Sequence, residues 1–131
     1  MDAALERLVR QRADGRCEYC CLPQAGTRAP LEIDHVIARK HRGRTVAHNL
    51  AVSCWYCNVH KGSNLSGSDP ATGKLTRLYH PRRHKWNYHF RFDGSILIGR
   101  TAIGRTTIEV LRMNHPQLVA IREILMSGGL F

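Results

Sequence analysis

Short stretches of alternating apolar and polar residues, separated by turn-forming residues, run through much of the chain and predict an α+β fold. Residues 3–12 differ, because charged residues there alternate with apolar positions along one side, which predicts a helix. Asp14 and Gly15 supply a stop signal at its end. The pattern contains no internal repeat and no second core, so we expect one domain over residues 1–131.

The middle of the chain predicts a strand, a loop, a second strand and a short helix, in that order. Residues 31–38 favour the first strand, and the basic turn that follows has Gly43 at its expected tip. Residues 49–54 favour a returning strand. The segment from Trp55 onwards favours a short helix that ends at a glycine.

The C-terminal half predicts a loop, a hairpin and a last helix. Residues 67–74 have the composition of a surface loop. Residues 90–94 alternate aromatic and polar side chains before an Asp-Gly dipeptide that is typical of a tight hairpin turn. We expect the last helix to begin with Asn114 as its N-cap and Pro116 in its first turn, and to end at Gly128.

Composition and charge narrow the range of partners. The chain has 131 residues, 43% of them hydrophobic, as in soluble globular domains. Its 20 Lys and Arg residues against 10 Asp and Glu residues give a net charge of +10, a field that favours polyanions, above all nucleic acid. Membrane binding is the competing interpretation, but no basic amphipathic helix or transmembrane-length apolar run supports it. The N-terminal residues lack the apolar centre of a signal peptide, so we expect a cytoplasmic protein.

Two stretches concentrate the positive charge. One is the run of residues 39–44 in the loop between the predicted strands, and the other is the segment 77–90, where basic and aromatic residues are interleaved. Basic side chains of this kind contact the phosphate backbone, whereas we expect Trp86 and Phe90 to pack in the core. The predicted nucleic-acid-binding residues are Arg39, Lys40, Arg42, Arg44, Arg82, Arg83 and Lys85.

Two CxxC pairs are the strongest structural signal in the sequence. Cys17 with Cys20, and Cys54 with Cys57, can present four thiolates to one tetrahedral ion, which predicts a structural Zn²⁺ site. The alternative is a set of buried thiols or a redox pair, although redox CxxC motifs usually occur singly. Cys21 can stand in for Cys20, but we expect it to be a packed free thiol.

Polar residues stand at fixed places around these cysteines. Asp34 and His35 lie side by side in the first predicted strand, Asn49 opens the second strand, and Asn58 and Lys61 follow the second CxxC pair. This ordered set resembles the HNH endonuclease family, whose catalytic unit is a ββα-metal finger. The resemblance extends from the first CxxC pair to just beyond the second, with the core finger at about residues 17–66. A looser similarity covers the C-terminal extension, about residues 74–127.

The resemblance implies a catalytic site and a role for each residue. Asp34 and Asn58 would hold a divalent ion, Mg²⁺ or Mn²⁺, and His35 would be the general base that takes a proton from water. Asn49 would brace the loop after the first strand and orient the histidine. Lys61 would contact phosphate.

The sequence leaves several alternatives open. His60 is a second candidate for the third metal ligand in place of Asn58, and a histidine ligand would widen the choice of ion to Ni²⁺ or Zn²⁺. Adjacent strand residues point to opposite sides, so the strand must twist if Asp34 and His35 are to reach one phosphate. The predicted function is a metal-dependent endonuclease acting on DNA, with RNA as a second option. The alternative is a catalytically inactive, zinc-stabilised nucleic-acid-binding module.

Overall fold

The computed structural model describes residues 1–131 and contains five helices and six short strands. The strands pair into three separate antiparallel two-stranded sheets. In chain order the elements are α1 (Ala3–Ala13), β1 (Glu32–His35), β2 (Leu50–Ser53), α2 (Trp55–Lys61), β3 (Ser66–Ser68), β4 (Leu75–Arg77), α3 (Trp86–His89), β5 (Phe90–Asp93), β6 (Ile96–Gly99), α4 (Ala102–Leu111) and α5 (Pro116–Ser127).

Helix α1 forms where the sequence predicts it, and its ends have clear physical causes. The Asp2 side chain accepts a hydrogen bond from the Leu5 amide at 2.8 Å and caps the N-terminus. Asp14 has φ of 53° and Gly15 has φ of 71°, so the chain leaves the helix through two left-handed residues. The helix lies against β2 because Arg12 donates to the carbonyl oxygens of Ala47 and Leu50.

Strands β1 and β2 with helix α2 form the predicted ββα unit. The two strands are antiparallel, with His35 opposite Leu50, and both are shorter than the sequence predicts. The first strand ends at His35. The next residue, Val36, donates its amide hydrogen to the carbonyl oxygen of Asn49, which precedes β2, at 2.8 Å. Short 3₁₀ turns at Arg39–His41 and Ala47–Asn49 shape the connecting loop.

The role expected for Gly43 differs from the one in the structure. Gly43 is half-buried and packs against the backbone of Ile37, where an added Cβ would lie 1.7 Å from the Ile37 carbonyl oxygen. The left-handed residue of this turn is Arg42, with φ of 66°. The glycine is therefore needed for a close approach between two parts of the loop and not for the turn itself.

The predicted surface loop at residues 67–74 is only partly a loop. Gly67 and Ser68 belong to β3, which pairs with β4, and the intervening turn is closed by Asp69. The Asp69 carboxylate is buried, accepts from the Ala71 amide and the Thr72 hydroxyl, and pairs in bidentate fashion with Arg105 of α4. Turn composition alone did not indicate this pairing, because Arg105 lies 36 residues further along the chain.

The β5–β6 hairpin confirms the prediction from the Asp-Gly dipeptide, with φ of 59° at Gly94. Helix α4 was not predicted from the sequence. Its N-terminus is capped by Thr101, whose hydroxyl accepts from the Gly104 amide at 3.1 Å. Gly104 lies so close to the end of α3 that an added Cβ would stand 2.0 Å from the His89 carbonyl oxygen, which explains a glycine inside this helix.

The expected N-cap of the last helix was wrong by one residue. His115 caps α5 and accepts from the Gln117 amide at 3.1 Å, with Pro116 in the first turn as predicted. The Asn114 side chain instead pairs with both backbone groups of Leu97, at 2.8 and 2.7 Å, and so joins α5 to β6. A buried tertiary partner outcompeted the local capping bond.

One continuous hydrophobic core of 21 buried residues includes side chains of the finger and of the C-terminal extension. Its largest fully buried side chain is Arg122 of α5, which donates to the carbonyl oxygens of Ser95 and Met113 and to the side-chain oxygen of Asn114. Trp86 and Phe90 pack at this core, in agreement with the expectation for the aromatic residues. No helix has both the length and the apolar character needed to span a bilayer.

Candidate metal centre and catalytic site

The two CxxC pairs meet in the interior as the sequence predicts. The sulfur atoms of Cys17, Cys20, Cys54 and Cys57 all lie within 4.8 Å of one another, and all four residues are buried. The two pairs have the same local geometry: the amide of the second cysteine points at the sulfur of the first, at 3.5 Å in both cases. Cys54 is also the N-cap of α2, so the cluster fixes where that helix begins.

The spacing of the sulfurs fits a tetrahedral zinc ion. Zn–S bonds of about 2.3 Å in a tetrahedron place the sulfurs about 3.8 Å apart. The Cys20 and Cys54 sulfurs are 3.7 Å apart. Four thiolates fill the coordination shell and leave no open position, so an ion held here is structural.

The pKa shifts of the clustered thiols also favour a bound cation. Hydrogen bonds from the other three thiols, with Cys17 the largest contributor, lower the pKa of Cys54, whereas hydrogen bonds led by Cys17 raise the pKa of Cys20 and Cys57. Four sulfurs this close cannot all ionise without a cation, and a divalent ion removes that restriction. Cys21 lies outside the cluster, and burial raises its pKa to about 12, as expected of a packed free thiol.

Asp34 and Lys61 form the most buried ion pair of the finger. The Lys61 ammonium donates to Asp34 Oδ2 at 3.0 Å and to the His35 carbonyl oxygen at 3.1 Å, and the residue is only 2% exposed. Burial raises the pKa of Asp34, and the nearby positive charge of Lys61 partly offsets this effect. The sequence predicted a phosphate contact for Lys61, but the structure turns its ammonium inward, onto β1.

The His35 side chain is half-buried and lies on the side of the connecting loop. Its Nε2 is 2.8 Å from the Thr45 hydroxyl oxygen, while Nδ1 has no protein partner. The adjacent Asp34 points instead to α2, as strand alternation requires. Thr45 is a site residue that the sequence analysis missed, because a single threonine in a basic loop carries no recognisable signal.

Asn49 joins the two ends of the connecting loop. Its side-chain oxygen accepts from the Ile37 amide at 2.9 Å, and its side-chain nitrogen donates to the carbonyl oxygens of Ile37 and Arg44 at 3.1 and 2.8 Å. The residue is 6% exposed. Because Thr45 follows Arg44 directly, this bracing fixes the position of the hydroxyl that contacts His35.

The two candidates for the third ligand differ in their surroundings. The Asn58 side chain is half-buried and has no hydrogen-bond partner in the protein, and it lies one turn before Lys61 on the face of α2 that meets β1. His60 has Nδ1 2.7 Å from the Tyr56 carbonyl oxygen of its own helix. The amide oxygen of Asn58, which has no protein partner, favours Asn58.

The predicted basic surface divides into two groups. Arg82 is half-buried and paired with Glu18, whose other carboxylate oxygen accepts from the Val52 amide, so this arginine joins the extension to the finger. The sequence analysis expected Arg82 to contact the phosphate backbone of a nucleic acid, but in the structure its guanidinium is paired with Glu18. The other members are exposed and form no ion pair: Arg39, Lys40, Arg42, Arg44, Arg83 and Lys85.

Three histidines of the extension come together without forming a metal site. The ring of His84 is 5.1 Å from that of His89 and 6.5 Å from that of His80. Their nitrogens are used in the fold: the His84 Nδ1 accepts from the His80 amide, and the His89 Nδ1 contacts the Thr101 hydroxyl. Among groups of three or more His, Cys, Asp or Glu side chains, the four cysteines form the one cluster close enough to hold a single ion.

The match to a known family covers the residues that form the site. The family model of HNH endonucleases matches residues 17–64, the segment from the first zinc cysteine to just after α2. A Septu protein PtuB from Bacillus thuringiensis is 23% identical over 119 residues, which cover 89% of this chain and 44% of that protein. The chain thus spans less than half the length of this relative. No solved structure matches the chain.

The family match covers the same part of the chain as the ββα unit and the cysteine cluster. The matched segment contains both strands, helix α2, the four clustered cysteines and the residues grouped around β1. Residues 17–64 therefore match the HNH endonuclease family, and their ββα order with a four-cysteine cluster is that of its metal finger.

Proposed function

We propose that this protein is a metal-dependent endonuclease that hydrolyses phosphodiester bonds in DNA. The observation that carries the proposal is the placement of His35: an imidazole with one nitrogen bonded to Thr45 and the other free, on a strand held by the four-cysteine cluster. The His35 ring is therefore held through one nitrogen, and the other nitrogen has no protein partner.

The geometry supports His35 as the general base. If its Nε2 donates to the Thr45 hydroxyl, the lone pair of the proton-free imidazole remains on Nδ1. A neutral imidazole can take the proton from an attacking water. Thr45 and Asn49 act as positioning residues, because the first holds the ring and the second holds the loop that carries the first.

Asp34 and Asn58 are the residues that would hold the catalytic ion. A carboxylate and an amide oxygen are hard donors that suit Mg²⁺ or Mn²⁺, and an incomplete protein shell leaves positions for phosphate and water. Such an ion, when bound, stabilises charge on the phosphoryl oxygens and on the leaving 3′-oxygen. Burial raises the pKa of Asp34, and Lys61 partly offsets this effect.

The charge of the chain supports nucleic acid as the substrate. The net charge is +10, and six of the predicted basic contacts are exposed without carboxylate partners. Four of them lie on the loop that also carries Thr45, so a polyanion attracted to them lies over the His35 side of the finger.

One observation favours a second candidate function, a zinc-stabilised nucleic-acid-binding module without catalysis. An isolated carboxylate at a phosphate site repels its ligand unless a cation intervenes. Lys61 supplies that cation from the protein itself at 3.0 Å. The presence of Asp34 alone therefore does not distinguish a nuclease from a binding module.

The test is cleavage of supercoiled plasmid by the zinc-loaded protein with Mg²⁺ present or omitted. The wild type should cut only with Mg²⁺, and His35→Ala and Asn58→Ala should lose cleavage while still binding DNA in a gel-shift assay. His60→Ala is the matched control on the same helix and should keep its activity. Cleavage by His35→Ala would remove this residue as the base, and a wild type that binds without cutting would establish the binding module.

A further inference from the structure

A separate cavity beside the finger has the chemistry of an anion site. It measures 170 Å³ and lies between the loop of residues 42–49 and the segment that leads into α3. Since a water molecule takes about 30 Å³, the space can hold a tetrahedral oxyanion. Its walls carry no carboxylate and five basic or imidazole side chains: Arg42, Arg44, His48, His80 and Arg83.

The arginines of this cavity are uncompensated. None of the four ion pairs in the structure involves Arg42, Arg44 or Arg83. The neighbouring Arg82 shows the contrast, because its guanidinium is paired with Glu18. Guanidinium groups that converge on a concave surface without an anion are suited to bind phosphate oxygens through their N–H donors.

His80 adds a neutral donor to these charges. The residue is 3% exposed, and its Nδ1 accepts from the Arg82 amide at 3.2 Å, so the ring carries its proton on Nε2, which has no protein partner. Burial, helped by Arg83 and other nearby cations, lowers the pKa of His80 to about 4 and keeps the ring neutral at physiological pH. The ring lies in the wall between this cavity and an adjacent one. An imidazole N–H that lines a cavity and has no protein partner can donate to a ligand there.

The cavity also adjoins the proposed catalytic base. Arg44 and Val46, both in its wall, flank Thr45, whose hydroxyl contacts His35. We propose that the cavity holds one phosphate group of the nucleic-acid backbone, next to the phosphodiester on which His35 acts. This inference rests on the proposed function for its location relative to the cut, and it adds a defined phosphate subsite with His80 and Arg83 as ligands.

The test measures how DNA binding depends on salt. The zinc-loaded protein, carrying His35→Ala to prevent cleavage and kept free of Mg²⁺, is titrated with a labelled duplex at a series of salt concentrations. Arg83→Gln should lower the slope of log K against log salt by about 1, the loss of one phosphate contact. Arg83→Lys, which keeps the charge, should retain most of the slope.

Arg7→Gln is the matched control, because Arg7 is exposed on α1, forms no ion pair and changes the net charge equally. Equal slopes for Arg83→Gln and Arg7→Gln would overturn the proposal. Inorganic phosphate is tested in parallel by thermal unfolding: stabilisation that requires Arg83, without a change in the DNA slope, would mean that the cavity takes a free anion and would also overturn it. A wild type that fails to cut plasmid refutes the proposed activity, a result that the salt slope does not depend on.

Discussion

Asn49 offers the sharpest test of how the loop next to the catalytic site is held. Its side chain makes three hydrogen bonds, all to backbone groups of the connecting loop: one from the Ile37 amide and one to each carbonyl oxygen of Ile37 and Arg44. Replacing Asn49 with alanine removes all three at once and leaves those groups without a protein partner. No other side chain donates or accepts at these three positions.

The expected loss of stability follows from this count. A hydrogen bond of this type contributes about 1 kcal/mol net, so three give about 3 kcal/mol. Water can reach the carbonyl oxygen of the exposed Arg44 and replace part of its bond, which reduces the loss to about 2 kcal/mol. For a chain of this size, that corresponds to a decrease in Tm of about 10 °C.

The assay is urea unfolding of the zinc-saturated protein, followed by far-UV circular dichroism, with plasmid cleavage measured well below the Tm. We expect a lower midpoint at unchanged slope, and a cleavage rate that falls further than the folded fraction, because the loop carrying Thr45 loses its brace. Asn87→Ala is the control, since Asn87 is exposed on α3 and makes no side-chain hydrogen bond; it should change stability by less than about 0.5 kcal/mol. A loss below that limit for Asn49→Ala would refute the bracing argument.

Three further predictions concern the zinc cluster and the extension. Cys54→Ser should release zinc and unfold the finger, which zinc quantification and circular dichroism will show; a variant that stays folded without zinc would contradict the structural role. Arg122→Met should lower the free energy of unfolding by about 3 kcal/mol in urea titrations, because one buried and two half-buried acceptors lose their donor. The folded-state pKa of His80 is about 4, below its ordinary 6.5, so stability should be full above pH 6.5 and fall by up to about 3 kcal/mol as the pH decreases towards 4. His80→Asn should lose correspondingly less over that range, and equal losses in the two proteins would contradict the shift.

The four-cysteine cluster and the ββα order were predictable because their determinants are local or repeated. A CxxC turn places two sulfurs together through its own backbone. Two such turns then need only one contact between distant parts of the chain to bring four sulfurs to one ion. Alternation at β1 and β2 and the cap position of Cys54 set the element order. Helix α1 and the β5–β6 hairpin were predictable for the same reason, since Asp14-Gly15 and Asp93-Gly94 act on their immediate neighbours.

Other features depend on partners far apart in the chain. Helix α4 was missed because glycine and threonine weaken its helical signal, and its stability comes from packing and from the Arg105 pair with Asp69. Asn114 has the chemistry of an N-cap, but Leu97 and Arg122 offer it buried partners. The local sequence favoured Asn114 as the cap, and only the tertiary contacts show why His115 takes that position.

By itself, the amino-acid sequence determined the ligands of the metal cluster, the ββα order and the residue types available for catalysis, since these follow from spacing and side-chain chemistry. The tertiary structure decided what each polar group faces. It turned Lys61 onto Asp34, paired Arg82 with Glu18 and brought Thr45 to His35. The reason is physical: a charge or a hydrogen-bonding group takes the partner that folding brings within about 3 Å, and that partner is seldom a neighbour in sequence.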